Sequence, residues 1–394
     1  MEFLFKTSKK KKQETIVAIF DIGSGSIGGA IVQLPSIDGE LPTIIKSART
    51  DIAFSESNDF EILIKNMLRA INTTAQTLNK NNTSSIKEVF CILSSPWYLS
   101  ETRIVKTERE LSFVFTKRHA NELLQKEIFN LSETYKKQYG EIDAPQIIEN
   151  IIMGVSLNGI PTNEPLDKKC KSVELSILIS LSSKIFIDKI EGNILNNFHH
   201  IPVHFSSFIS SSYIALRDKY INQDSHVLVD VSGETTDVSI IQDGILKYSV
   251  SFPQGKKTLY RYISKNKNIE LRDSEELFNL YTTDNLSASI KYKVDPIFKS
   301  LEYIWGSNFT KCFENLPEGI IIPKVVFLTA DNNIKKWLTQ LIQKDQYNPS
   351  RLENRFNVLA LEGSHFLNMC NIKNSSCDPF LMIEAISVMR KKNI

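Results

Sequence analysis

Two segments of this chain set an aspartate, glycines and hydroxyl residues where an anion could be held. The first, Asp21-Ile22-Gly23-Ser24-Gly25-Ser26, closes an apolar run from Ile16 and leads into a second, Ile27 to Val32. The second, Asp230-Val231-Ser232-Gly233-Glu234-Thr235-Thr236-Asp237, sits between Val227–Val229 and Val238–Ile241. A glycine turn lets backbone N–H groups approach an anion with no Cβ in the way. An aspartate at the end of the strand can hold a hydrated metal ion beside that anion. Two such hairpins face to face would grip the phosphates of a nucleotide from both sides. A single copy reads as an ordinary β-turn, because Asp and Gly occupy turns for local reasons. Two copies with the same Asp placement argue for a shared task.

Gly23-Ser24-Gly25-Ser26-Ile27-Gly28 also matches the dinucleotide pattern G-x-G-x-x-G. That reading needs a helix to start inside the motif, with its N-terminus on the pyrophosphate. Here the glycines run into Ala30-Ile31-Val32-Gln33-Leu34, a β-rich run without a cap or helical spacing. The chain turns back as a hairpin, so the motif is read as a phosphate turn.

The elements that must carry these turns follow from periodicity. Residues 15–34 read as strand, turn, strand, with another strand near 43–48. Apolar residues at helical spacing over 60–80 predict an amphipathic helix. Strands are expected over 88–93, 103–107, 111–115, 146–159 and 171–181. Thr116 is a credible cap for a helix over 117–139, and Ser182 or Ser183 for one that ends near 197. A helix rich in small residues is expected over 204–219. Further helices are expected over 257–265, 274–281, 288–314, 333–342 and 379–391, and a buried strand over 324–329. The last helix shows one apolar face of Phe380, Ile383, Ile386 and Met389.

The bulk numbers admit a soluble globular chain of more than one lobe. There are 394 residues, 42% hydrophobic and 23% charged, with net charge +2. Lys9 to Lys12 supply the basic excess, and the remainder is slightly acidic, which argues against nucleic acid. No apolar stretch reaches a membrane span. Cys91, Cys170, Cys312, Cys370 and Cys377 are scattered, odd in number and without C-x-x-C, so a reducing cytoplasm is expected. His199, His200 and His204 have no ligand spacing. Trp97, in Ser94-Ser95-Pro96-Trp97-Tyr98, is either a docking anchor or a turn aromatic packed on its own domain.

At these motifs the sequence resembles the actin-like ATPases. Asp21-Ile22-Gly23-Ser24-Gly25-Ser26 is similar to their first phosphate loop, and Asp230 to Asp237 to the second, whose usual bacterial form is D-I-G-G-G-T-T-D. Ser251-Phe252-Pro253-Gln254-Gly255-Lys256-Lys257-Thr258, Ser274-Glu275-Glu276-Leu277 and Asp378-Pro379-Phe380-Leu381 resemble later stretches of the FtsA/PilM branch. The resemblance implies an α/β, actin-like (ribonuclease H-like) two-lobed fold with an inserted strand–helix–strand domain. The implied division is a basic tail at 1–13, first lobe 14–86, inserted domain 87–181, connecting helices of the first lobe 182–222, second lobe 223–376 and closing helix 377–394.

The implied cofactors are ATP and Mg²⁺. Asp21 and Asp230 would face the hydrated metal, with Asp237 bracing its turn or ordering a water. Gly23, Ser24, Gly25 and Ser26 would hold one side of the phosphates, and Gly233, Thr235 and Thr236 the other. Gly255, Glu276 and Thr329 would flank the nucleotide. The chain departs from the pattern at two places. Ala330 and Asp331 stand where the adenosine loop carries glycines, and Glu234 replaces a glycine of the second phosphate loop. Glu234 must turn outward or face the metal, because it would otherwise repel phosphate. It is also the one candidate for a hydrolytic base, so turnover should be slow at most.

The implied role is a cytoplasmic adaptor or scaffold in cell division or type IV pilus assembly, at the inner face of the membrane. Its partners would be proteins of that complex, with self-association into filaments also open. The alternative is an actin-fold interaction protein that no longer binds ATP. A sugar or acetate kinase is disfavoured by the inserted segment. In FtsA a membrane helix often lies beyond the closing helix; here residues 1–12 are expected to be a solvated basic tail, and they are the one remaining candidate for a peripheral membrane contact.

Overall fold

The computed structural model describes residues 15–37, 39–53, 59–80, 85–139, 143–347, 355–373 and 375–392. The basic tail over 1–13 lies outside the described residues.

The chain opens with β1 (Thr15–Ile22), β2 (Ser26–Leu34) and β3 (Thr43–Asp51), an antiparallel meander. Helix α1 (Phe60–Asn79) is capped by Asp59, whose carboxylate accepts from the amides of Glu61 and Ile62. It crosses to β4 (Glu88–Leu93), parallel to β1. The chain then leaves this sheet through β5 (Leu99–Phe115), α2 (Lys117–Tyr139), β6 (Pro145–Leu157), β7 (Ile160–Pro161) and β8 (Lys168–Ser183). These strands form a separate sheet in the order β5-β8-β6-β7. The return runs through α3 (Lys184–Leu195), capped by Ser183, then β9 (Val203–Ser207) and α4 (Phe208–Lys219).

The second half repeats the opening design. Strands β10 (His226–Val231), β11 (Thr236–Gln242) and β12 (Ile245–Phe252) form a second meander. Helices α5 (Lys256–Lys267), α6 (Leu271–Thr282) and α7 (Ala288–Lys311) follow, then β13 (Val325–Ala330) and α8 (Asn332–Ile342). Short strands β14 (Asn357–Ala360) and β15 (Asn371–Ile372) lead to α9 (Pro379–Lys392). The sheet orders are β15-β3-β2-β1-β4-β9 and β12-β11-β10-β13-β14. Both β1 and β10 are central and covered on both faces, which is why each reads as a continuous apolar run rather than an alternation.

Three expectations are corrected. The stretch 204–219 is not one helix: Val203–Ser207 is a strand parallel to β4, and α4 begins only at Phe208, with Ser207 as its cap. Serines suit a cap and a tight strand-to-helix corner as well as a small-residue helix face. Residues 103–107 and 111–115 belong to one strand, β5, interrupted by an irregularity between Glu108 and Phe113. Helix α9 is not one-sided. Leu381 to Met389 are all buried, because the helix lies between the first sheet and α4.

The separate sheet is wired to the first lobe at one buried carboxylate. Glu149 of β6 accepts from Ser210 Oγ at 2.6 Å, from the Ser207 amide at 3.1 Å and from Lys391 Nζ of α9 at 3.0 Å. Burial alone would raise its pKa; Lys391 and the serines outweigh burial and hold it below the usual range.

Candidate functional site

The register of the two meanders sets the site. Asp21 and Asp230 end equivalent central strands, so both carboxylates reach the same junction between the lobes. They line one cavity together with Gly23, Gly25, Gly233 and Arg49. That cavity is about 30 Å³, space for roughly one water and too small for a triphosphate.

The turns meet directly. Ser24 Oγ lies 3.0 Å from Ser232 Oγ and accepts the Glu234 amide at 2.9 Å. A Cβ on Gly233 would fall 2.4 Å from the Gly25 nitrogen and 2.5 Å from the Ser24 carbonyl carbon. Gly233 is what allows this approach; a Cβ on Gly25 would be tight, 3.2 Å from the Gly233 Cα. Around them the lobes are tied by Lys257, whose Nζ donates to the Ile52 carbonyl at 3.0 Å, while the Ile52 amide donates to the Gly25 carbonyl at 3.0 Å. Burial pushes the Lys257 ammonium down to about 8.

Arg49 was not singled out by sequence reading, and it takes the central position beside Asp21. Its Nη2 is 2.8 Å from Asp21, its Nε 2.8 Å from Asp378, and its Nη1 donates to Ser26 Oγ at 2.9 Å. The strand pairing sets Arg49 of β3 opposite Gly28 of β2. A Cβ on Gly28 would lie 2.6 Å from Arg49 Nη2, so the glycine leaves room for the guanidinium. The signal that could have found it is this pairing of an arginine with the glycine seven residues after Asp21, visible only once the register is known.

The remaining expected residues divide. Glu234 turns outward and makes a bidentate pair with Arg261 of α5, both contacts at 2.7 Å. Thr329 Oγ1 donates to Asp230 Oδ1 at 2.6 Å. Thr235 Oγ1 lies 3.0 Å from Ser232 Oγ, within its own turn. Thr236 faces the second lobe's interior, where its hydroxyl donates to the Gln254 carbonyl at 2.6 Å. Gly255 packs on the second turn, with the Lys257 amide donating to the Gly233 carbonyl at 2.7 Å. Asp331 is ion-paired with Lys256, across the loop where glycines were expected. Glu276 is exposed, and its neighbour Glu275 accepts from Asn333 at 3.2 Å. Trp97 is not a docking anchor. It is 3% exposed, stacks on Phe186, and donates from Nε1 to the Gly23 carbonyl at 3.0 Å, bracing the first turn.

The carboxylates here are shifted upward. Burial, against the pull of Arg49, pushes Asp21 up to about 6. Burial and then Asp237 raise Asp230 well above its usual range. Glu384 of α9 is fully buried, and neither carboxylate oxygen has a hydrogen-bond partner among the described residues. Burial and then Asp21 hold it well above the ordinary value, which favours a neutral acid. Burial likewise moves Asp237 from 3.8 to about 6, against its bond from Ser251. Between those values the folded state holds a proton that the unfolded state releases, so this group lowers stability as pH rises through that window. Asp237→Asn should therefore gain roughly 3 kcal/mol relative to the parent between about pH 4 and pH 8. Urea unfolding at both pH values checks this, and an equal difference at both would contradict the assignment.

The fit to a metal-bound triphosphate is poor in this geometry. A guanidinium stands beside Asp21, the turns touch, and the Lys256–Asp331 pair spans the loop where the resemblance would put adenosine. Among the described residues, no group of three or more His, Cys, Asp or Glu is arranged to hold a metal ion.

Two meanders with aspartate-ended central strands, each backed by helices and meeting at glycine turns, define the actin-like ATPase fold. Within that class the chain is similar to PilM, in the structure described as the PilM-PilN type IV pilus biogenesis complex. The two are 11% identical, with 95% of this chain and 97% of that chain covered and a TM-score of 0.59. More distant are the ethanolamine utilization protein EutJ from Carboxydothermus hydrogenoformans (8% identity, 96% and 91% covered, TM-score 0.43) and a Bacteroides thetaiotaomicron protein with an actin-like ATPase fold and unknown function (10%, 89% and 91%, 0.37). No family model matches the chain, and no curated protein matches it in sequence. No helix among the described residues is long and apolar enough to cross a membrane.

Proposed function

We propose that this chain is an actin-fold assembly adaptor of the kind PilM represents, acting through protein partners at the inner face of the membrane, with its inter-lobe cleft shut by its own side chains. The observation that carries this reading is Arg49. A fixed guanidinium bridges Asp21 and Asp378 in the place where a cation would sit, and the phosphate turns touch beside it. The role of a scaffold needs a rigid fold and surfaces, not turnover. Pilus assembly is favoured over cell division only by the likeness to PilM.

The opposite reading, a slow ATPase clamp, is favoured by one fact: Asp21 and Asp230 line a single cavity. It requires Arg49 to leave Asp21 and the lobes to separate before nucleotide enters. Calorimetric titration of the full chain with ATP and Mg²⁺ distinguishes them. The expected result is no saturable heat up to about 1 mM ATP, a binding free energy weaker than about −4 kcal/mol. Saturable binding that disappears in Asp230→Ala would replace the closed adaptor with the nucleotide clamp.

A further inference from the structure

A cavity of about 510 Å³ lies between α8, the turn after β14 and the start of α9. Its volume is within the range of ligand sites. It shares no lining residue with the small cavity at Asp21. It also lies on another face of α8 from the expected nucleotide. Asn333 bonds Tyr260 of α5 and Glu275 of α6, whereas Lys335, Lys336 and Thr339 line the cavity. Residues three and four apart share a helix face, and these sit apart from Asn333. The walls meet at Gly363, where a Cβ would fall 2.5 Å from Cys377 Sγ.

One wall holds a charge with no counter-ion beside it. Lys335 is only 6% exposed. An ammonium has three protons to donate. Two go to neutral oxygens, Asn332 Oδ1 at 2.9 Å and the Leu361 carbonyl at 3.0 Å. Neither Lys335 nor its exposed neighbour Lys336 has an ion pair among the described residues. A buried charge is costly unless it is paired. The carboxylates that act on Lys335 are engaged elsewhere. Glu362 accepts from the His365 amide in its own turn, Asp331 is paired with Lys256, and Asp378 with Arg49. Burial pulls the Lys335 ammonium below the ordinary lysine value against the attraction of all three. The start of α8 is open too, because Asp331 makes no side-chain bond to its first amides.

From this geometry we infer that the cavity seats the phosphate group of a small phosphate ester. Lys335 supplies its third proton, Lys336 a second positive charge, and the exposed Ser364 hydroxyl a further donor. A phosphate carries close to two negative charges and three acceptor oxygens, so one group answers both ammoniums. The carbon body lies against Ala360 and Pro379. An occupant would touch α8 on one side and the residues flanking Asp378 on the other. This inference is independent of whether the cleft at Arg49 takes nucleotide.

Alkylation of Cys377 on the full chain tests it. Cys377 lines the cavity and is exposed, while Cys91, Cys170, Cys312 and Cys370 are buried, so iodoacetamide should label Cys377 first. Glycerol 3-phosphate should slow that labelling with half-saturation at or below about 1 mM, and about fivefold at roughly four times the half-saturating concentration. Lys335→Met should abolish the saturable slowing. Lys336→Met should raise the half-saturating concentration about threefold; Lys336 is exposed, so this variant should fold and carries the test if Lys335→Met does not. Slowing no greater than that given by sodium chloride at equal ionic strength overturns the site. So does slowing that is the same in the parent and in the lysine variants. Glycerate acting as well as glycerol 3-phosphate overturns the choice of phosphate, and inorganic phosphate acting as well overturns the organic body.

Discussion

Arg49→Met should lower the unfolding free energy by about 3 kcal/mol near neutral pH. The guanidinium is shared by Asp21 and Asp378, each at 2.8 Å, and it also donates to Ser26. Methionine keeps much of the stem's packing and removes the charge. Asp21, Asp378 and the buried Glu384 would then face one another with no cation among them. The cost of breaking a buried pair runs to about 3–5 kcal/mol, and the lower end applies because the Arg49 side chain is 27% exposed. The loss should shrink toward about pH 5, where Asp21 can take up a proton and shed its charge. Arg49→Lys should recover only part, since an ammonium cannot reproduce a planar fork with three partners. Urea unfolding of the three chains is the measurement. A loss below about 1 kcal/mol would make the bridge an exposed pair of little worth and remove the main support for a cleft closed from within.

Gly233→Ala should cost about 2–4 kcal/mol, combining overpacking with the loss of hydrogen bonds across the lobes. The added methyl would meet backbone atoms of Ser24 and Gly25 at 2.4 to 2.6 Å. Backbone cannot step aside as a flexible side chain can, so the lobes must separate. Separation breaks the bond from the Glu234 amide to Ser24 Oγ and the Ser24–Ser232 contact. The Glu234 amide should then exchange faster, which reports the opening itself. Gly192→Ala is the control: it lies in α3 with nothing within 4 Å of its added carbon, and alanine favours a helix by up to about 1 kcal/mol over glycine. If both variants unfold at the same midpoint, the turns do not touch in solution.

Much of this architecture was legible from residue order. The paired aspartate turns were visible because strand, Asp and glycine turn are local in sequence and occur twice. Helices α2, α7 and α8 were legible from apolar spacing, and Ser183 from its cap chemistry. The 204–219 stretch misled because serine serves caps, corners and small-residue faces alike. Trp97 was ambiguous because an aromatic after a proline turn suits an anchor or a core equally, until Phe186 and the Gly23 carbonyl are seen against it. Glu234 was known to need an exit, but Arg261 lies on another element, 27 residues away.

Local order thus specified the two hairpins, their aspartates and most helices, because turn chemistry and side-chain period act over a few residues. Whether those hairpins enclose a space or abolish it was decided by partners that register and packing bring from afar: Arg49 opposite Gly28, Asp378 at the start of the last helix, and Gly25 against Gly233. A string of residues records which groups exist; the distance between them, and so the field and room each one meets, arises only when the sheets are stacked.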